Sequence, residues 1–116
     1  MKALILATML AASTLVPLEA EKPSESEMEP LGTYEITAYA GGSLTATGTV
    51  PVPYKTVAVD PTIIPYGTQL YLEGVGIVTA EDCGGAIVGK RLDLYLPSEG
   101  ECVQWGRQER EVWIVN

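Results

Sequence analysis

From Thr33 onward the chain is cut into short β-prone pieces by glycine and proline, and hardly any of it keeps the 3.6-residue period of a helix. That punctuation is the strongest constraint on the fold, because pieces of four to six residues are stable only when their neighbours complete a sheet. Residues 34–39, YEITAY, alternate cleanly, with Tyr34, Ile36 and Ala38 on one face and Glu35, Thr37 and Tyr39 on the other. Further strands are expected at residues 56–59, 69–72, 76–80, 91–96 and 111–115. In residues 91–96 Arg91, Asp93 and Tyr95 share one face. Pro97 ends that strand, Ser98 and Glu101 have the spacing of a helix cap, and Gly106 stops a helix running to about Trp105. Six short strands and one short helix point to a small closed or nearly closed β-barrel, with a sandwich of the same strand count as the alternative.

The first 31 residues do not read as part of that barrel. Met1-Lys2, an apolar run over residues 3–16, then Pro17 and Ala20 have the charged start, short hydrophobic middle and small-residue end of a secretory signal, with cleavage expected after Ala20. The run is short for a membrane span, so no membrane attachment is expected after cleavage. Residues 21–31 are rich in Glu, Ser and Pro and read as a solvated linker, which leaves residues 32–116 as the folded domain. So small a domain gains from barrel closure or a crosslink. Cys83 follows Asp82 and Cys102 falls in the expected helix, so a Cys83–Cys102 bridge would tie the helix to that turn; the other reading is two free thiols.

Charge and composition remove whole classes of function. The net charge of −8 is spread along the chain without a basic stripe, which argues against nucleic acid and anionic membranes and leaves a neutral ligand such as a glycan. There is no histidine, which excludes Ser-His-Asp and Cys-His catalysis and argues against a zinc site; no cofactor is expected. Carboxylates are the main acid/base groups that remain. Asp60 ends a strand, Asp82 follows one, and Asp93 lies within one. A strand-end aspartate is ordinarily a turn former, but one inside a strand is disfavoured by propensity, which makes Asp93 a candidate for use. The glycines after Asp82 allow a sharp turn or a close backbone approach, so Asp82 and Asp93 are expected to meet across one turn.

The segments VAVDPTIIPYGT (57–68), AEDCGGAIVGKRLDLYL (80–96) and WGRQEREVWIV (105–115) closely resemble the three-aspartate, or 3D, domain of bacterial cell-wall proteins. The three aspartates fall in three separate motifs at spacings of 22 and 11 residues, and the likeness runs over about residues 34–115. That family includes stationary-phase survival proteins and shares its barrel with the membrane-bound lytic transglycosylase A family. The resemblance implies an all-β fold, a six-stranded double-psi β-barrel with one short helix, exported to the cell wall and binding peptidoglycan glycan strands in a groove. It also implies cleavage of the bond between N-acetylmuramic acid and N-acetylglucosamine without water, leaving a 1,6-anhydro end. Asp93 and Asp82 are then the catalytic candidates, and Asp60, Thr47, Gly84, Gly85 and Lys90 the substrate-binding ones. The chain departs from the family pattern in having Cys83 where threonine is usual, and Val88 where a lysine is common, with Lys90 two residues later.

Chemistry supports the same assignment. A hydrolase generally needs two carboxylates in separate roles, whereas attack by the sugar's own 6-hydroxyl needs one group that first gives and then takes a proton. Asp93 is expected to be that group, with the charge of Asp82 raising its pKa. Tyr95 is read as a packing or solvent-facing residue first and a glycan contact second. The competing reading is a module that holds peptidoglycan without cutting it, and a weaker third is a secreted structural or signalling barrel with no glycan affinity. Peptidoglycan chemotype and oligomeric state are not encoded in any motif.

Overall fold

Side-chain alternation dictates what the strands bury, and a computed structural model, which describes residues 22–116, shows the result. A single 3-10 turn at Glu25–Glu27 leads into β1 (Met28–Tyr39), followed by β2 (Thr56–Ala58), β3 (Gln69–Leu72), β4 (Gly76–Asp82), β5 (Arg91–Tyr95), the helix α1 (Glu99–Trp105) and β6 (Gln108–Val115). Ile36, Val57, Val59, Leu70, Leu72, Val78, Leu92, Leu94 and Val112 are fully or almost fully buried. In β3, β4 and β5 they are the inward half of an in-out alternation, whereas residues 56–59 are buried throughout, and burying a side chain of this size contributes roughly 1.5–3 kcal/mol.

The strands close into a barrel in the order β1-β5-β2-β4-β3-β6. β1 runs parallel to β5 and β2 parallel to β4, while the other neighbours are antiparallel. Closure leaves no open sheet edge, which is how strands of three to five residues become stable in a chain this short. The architecture is the six-stranded barrel with one short helix anticipated from the sequence, and its interleaved order is consistent with the double-psi form.

The helix ends where its capping residues require. Ser98 accepts a hydrogen bond from the Glu101 amide at 3.2 Å, and Gly106, at φ +66°, turns the chain out of the helix. Trp105 fastens α1 to β1 by donating from its indole nitrogen to the Ile36 carbonyl at 2.9 Å.

One boundary differs from the sequence reading. The linker expected to reach residue 31 stops earlier, because Met28, Glu29 and Pro30 pair with Val115, Ile114 and Trp113 of β6. Met28 is buried, and the ladder shifts between Pro30 and Gly32, where Gly32 takes φ +108°. A bulge tolerates a proline that an unbroken ladder would not, so the polar composition of this stretch concealed a strand. The expected signal at residues 1–20 lies outside the described residues.

Candidate functional site

The outward face of β5 is matched rung by rung with β1. Glu35 lies opposite Arg91, Thr37 opposite Asp93, and Tyr39 opposite Tyr95. Every rung is a chemical pair: an ion pair at 2.8 Å, a hydrogen bond from Thr37 Oγ1 to Asp93 Oδ1 at 2.9 Å, and an edge-on aromatic contact with ring centroids 5.3 Å apart. Leu92 and Leu94 point the other way into the core, so Asp93 is anchored on both sides by buried neighbours. The face shared by Arg91, Asp93 and Tyr95 is the one anticipated from alternation.

Asp82 reaches this region through an irregularity in β4. Along the β2-β4 ladder Val57 pairs with Ala80, but the next residue, Ala58, pairs with Asp82. Glu81 is therefore the extra residue of a bulge. Strict alternation would put Asp82 on the same side as buried Ala80, and the bulge re-aims it. Ala58 also pairs with Asp93. The two aspartates thus flank one small residue of β2 from either side, two strand spacings or about 10 Å apart at the backbone. This corrects the expectation that they meet across one turn: β4 and β5 are not neighbours, and β2 runs between them.

Their surroundings differ. The Asp82 carboxylate accepts three hydrogen bonds, from Tyr39 Oη at 2.8 Å, the Ala46 amide at 2.9 Å and the Cys83 amide at 3.0 Å. Asp93 is half-buried, and that burial is the main force pushing its pKa above the usual carboxylate value; the Thr37 hydrogen bond opposes it, the Asp82 charge adds to it and Arg91 opposes it. The like-charge effect expected from Asp82 is present, but desolvation is the larger cause. Tyr39 is bonded to Asp82, and burial, that bond and the negative charges of both aspartates hold its phenol firmly protonated. A tyrosine in that state is a permanent donor to Asp82.

The loop before β2 closes over Asp82. Buried Thr45 hydrogen-bonds Thr49 at 2.6 Å, and Thr47 places both its amide and its hydroxyl on the Glu81 carbonyl, at 3.3 and 2.9 Å. Thr47 therefore secures the loop at the bulge, which sets the Ala46 amide on Asp82. Below it, fully buried Thr56 donates to the Glu81 carboxylate at 2.8 Å.

The other candidates are dispersed. Asp60 accepts from the Thr62 amide and hydroxyl through Oδ1 and from the Gly89 amide through Oδ2, and these bonds hold its carboxyl below the usual range. It joins the loop after β2 to the loop before β5. Gly84 and Gly85 are exposed and neither takes a positive φ; a Cβ on Gly84 would meet Ile87 at 3.3 Å, so close approach is the reason for glycine there. The Lys90 ammonium lies over Gly32, five residues or roughly 16 Å along β1 from Thr37, and so away from the aspartates. Cys83 and Cys102 are both free thiols, which corrects the expected bridge. Cys83 is exposed next to Asp82, whereas Cys102 packs against the core from α1. Among the described residues no group of three or more Cys, Asp or Glu side chains converges on a point that would hold a metal ion.

Thr37, Tyr39 and Ala46 complete the site and were not singled out from sequence. Alternation already placed Thr37 and Tyr39 on one face; what was missing was the register that sets that face against β5.

Comparison with known proteins places this geometry. Residues 55–116 match the model of the 3D domain. Over 62 residues, 53% of the chain, it is 44% identical to the cell wall-binding protein YocH and 37% identical to the putative cell wall shaping protein YabE, both of Bacillus subtilis. The chain spans only 22% and 15% of the lengths of those two proteins. Among solved structures it is similar to Escherichia coli MltA with bound chitohexaose, at 27% identity and a TM-score of 0.57 over 66% of this chain and 28% of that one. It is also similar to the lytic transglycosylase LtgG of Burkholderia pseudomallei, at 30% identity and a TM-score of 0.54 over 63% of this chain and 26% of that one. With the matched motifs spanning more than half of the chain and carrying all three aspartates, this protein belongs to the 3D domain family.

Proposed function

We propose that this domain binds peptidoglycan glycan strands across the face that carries Asp82 and Asp93, and cleaves the bond between N-acetylmuramic acid and N-acetylglucosamine without water. The observation that carries the reading is Asp93 itself: a half-buried carboxyl on β5 whose pKa burial raises, with a second, firmly held aspartate across β2. Protonated Asp93 gives its proton to the glycosidic oxygen as the bond from the anomeric carbon to that oxygen breaks. The 6-hydroxyl of the same muramyl residue then bonds to the anomeric carbon and passes its proton to the Asp93 carboxylate. The product is a 1,6-anhydro end, and the acid is regenerated. Asp82, held by Tyr39 and two amides, adds to the field that keeps the proton on Asp93. The protein is read as exported and associated with the cell wall, in keeping with the names of its relatives.

A second reading is favoured by one of those names, cell wall-binding protein: the same face holds glycan without cutting it. Mass spectrometry of muropeptides released from purified peptidoglycan separates the two. Catalysis predicts anhydro ends from the wild-type protein and at least a roughly hundredfold loss in Asp93→Asn. Retention on insoluble peptidoglycan with no anhydro product establishes the binding module instead.

A further inference from the structure

Four of the six tyrosines are grouped around the two aspartates. At one end is Tyr66, 41% exposed, next to Gly67, whose amide bonds the Ala80 carbonyl at 2.8 Å, two residues before Asp82. Tyr39 follows, its hydroxyl on Asp82 and its ring edge against Tyr95. At the far end Tyr54, 43% exposed, donates its amide to the Tyr95 carbonyl at 2.9 Å and its hydroxyl to Glu101 of α1 at 2.8 Å. Tyr54 is also the one described non-glycine residue with a positive φ, +64°. Glycine or asparagine would sit there more easily, so a large aromatic at that position needs a reason in its side chain.

We propose that Tyr66 and Tyr54 are the stacking platforms at the two ends of an extended glycan track, with the half-buried pair Tyr39 and Tyr95 forming its floor beside Asp93. The inference rests on the glycan-binding reading and names the residues that set the length of chain recognised. An aromatic ring offers a sugar a flat apolar face while a tyrosine hydroxyl remains for hydrogen bonding. The Tyr54 hydroxyl is already tethered to Glu101, so that ring is held in place before ligand arrives. The charge along the track is acidic, from Asp82, Asp93 and Glu101, and the nearby Arg91 is paired with Glu35. Uncharged sugar rings suit such a track.

The test is calorimetric binding of a neutral N-acetylglucosamine hexamer and of the dimer to wild type, Tyr54→Ala, Tyr66→Ala and Tyr54→Phe, each checked for folding by circular dichroism. Each alanine variant should lose roughly tenfold in affinity for the hexamer, with Tyr54→Phe, which keeps the ring but not the tether to Glu101, losing less than Tyr54→Ala. The dimer, too short to reach both ends, should show little difference in at least one alanine variant. Wild-type binding of the hexamer with both alanine variants within twofold overturns the track and leaves the proposed function standing. No hexamer binding by wild type overturns the track, and retention on insoluble peptidoglycan then decides the proposed function separately. Should Tyr54→Ala fail to fold, Tyr66→Ala decides alone, since Tyr66 has an ordinary backbone.

Discussion

Tyr39→Phe isolates a single hydrogen bond at the centre of the site. The substitution keeps the ring, and with it the edge-on contact to Tyr95 at 5.3 Å, and removes only the hydroxyl that donates to Asp82 Oδ2 at 2.8 Å. A hydrogen bond to a charged group contributes about 1.5–3 kcal/mol where water is excluded. Here both partners are only partly buried and Asp82 keeps two backbone donors, so the expected loss is about 1 kcal/mol. For a domain of this size that lowers the melting temperature by roughly 4–8 °C. Thermal unfolding followed by circular dichroism measures it, and a double-mutant cycle with Asp82→Ala assigns it. Coupling of about 1 kcal/mol is expected, because Asp82 is the acceptor of that hydroxyl. Tyr39→Phe within about 0.3 kcal/mol of wild type, or strict additivity with Asp82→Ala, would refute the view that this bond holds the site together.

Three further outcomes follow from the structure. Because burial raises the pKa of Asp93, the folded state holds its proton more tightly than the unfolded chain; that contribution to stability is full below the unfolded value and declines as pH rises through the raised folded one. Asp93→Asn should therefore gain stability relative to wild type as pH increases toward neutrality, and urea titrations of both proteins at several pH values that show a constant difference would contradict this. Asp60→Ala removes three hydrogen bonds that join the loops after β2 and before β5, and hydrogen exchange should accelerate at the Thr62 and Gly89 amides while the amides of β1 and β6 stay protected. Leu92→Ala opens a cavity under the Asp93 rung at a fully buried position, and should cost about 2–5 kcal/mol by urea denaturation.

What the sequence determined by itself was everything governed by near neighbours along the chain. The 91–96 segment displays Leu92 and Leu94 inward and Arg91, Asp93 and Tyr95 outward because period-two alternation is a property of any extended strand. Ser98 and Gly106 bound α1 because capping involves residues three or four apart. The three aspartate motifs were legible for the same reason. Only the tertiary structure decided how those pieces meet. Thr37 and Asp93 are 56 residues apart and Tyr39 and Asp82 are 43 apart, so no local pattern encodes their contact. The insertion of β2 between β4 and β5, the bulge at Glu81 and the early start of β1 against β6 are products of closing a barrel, in which each strand takes the register that buries the most side chain and satisfies the most backbone. The same closure leaves Cys83 exposed next to Asp82 and sets Cys102 against the core on α1, so that two thiols with plausible spacing in sequence have different surroundings in space.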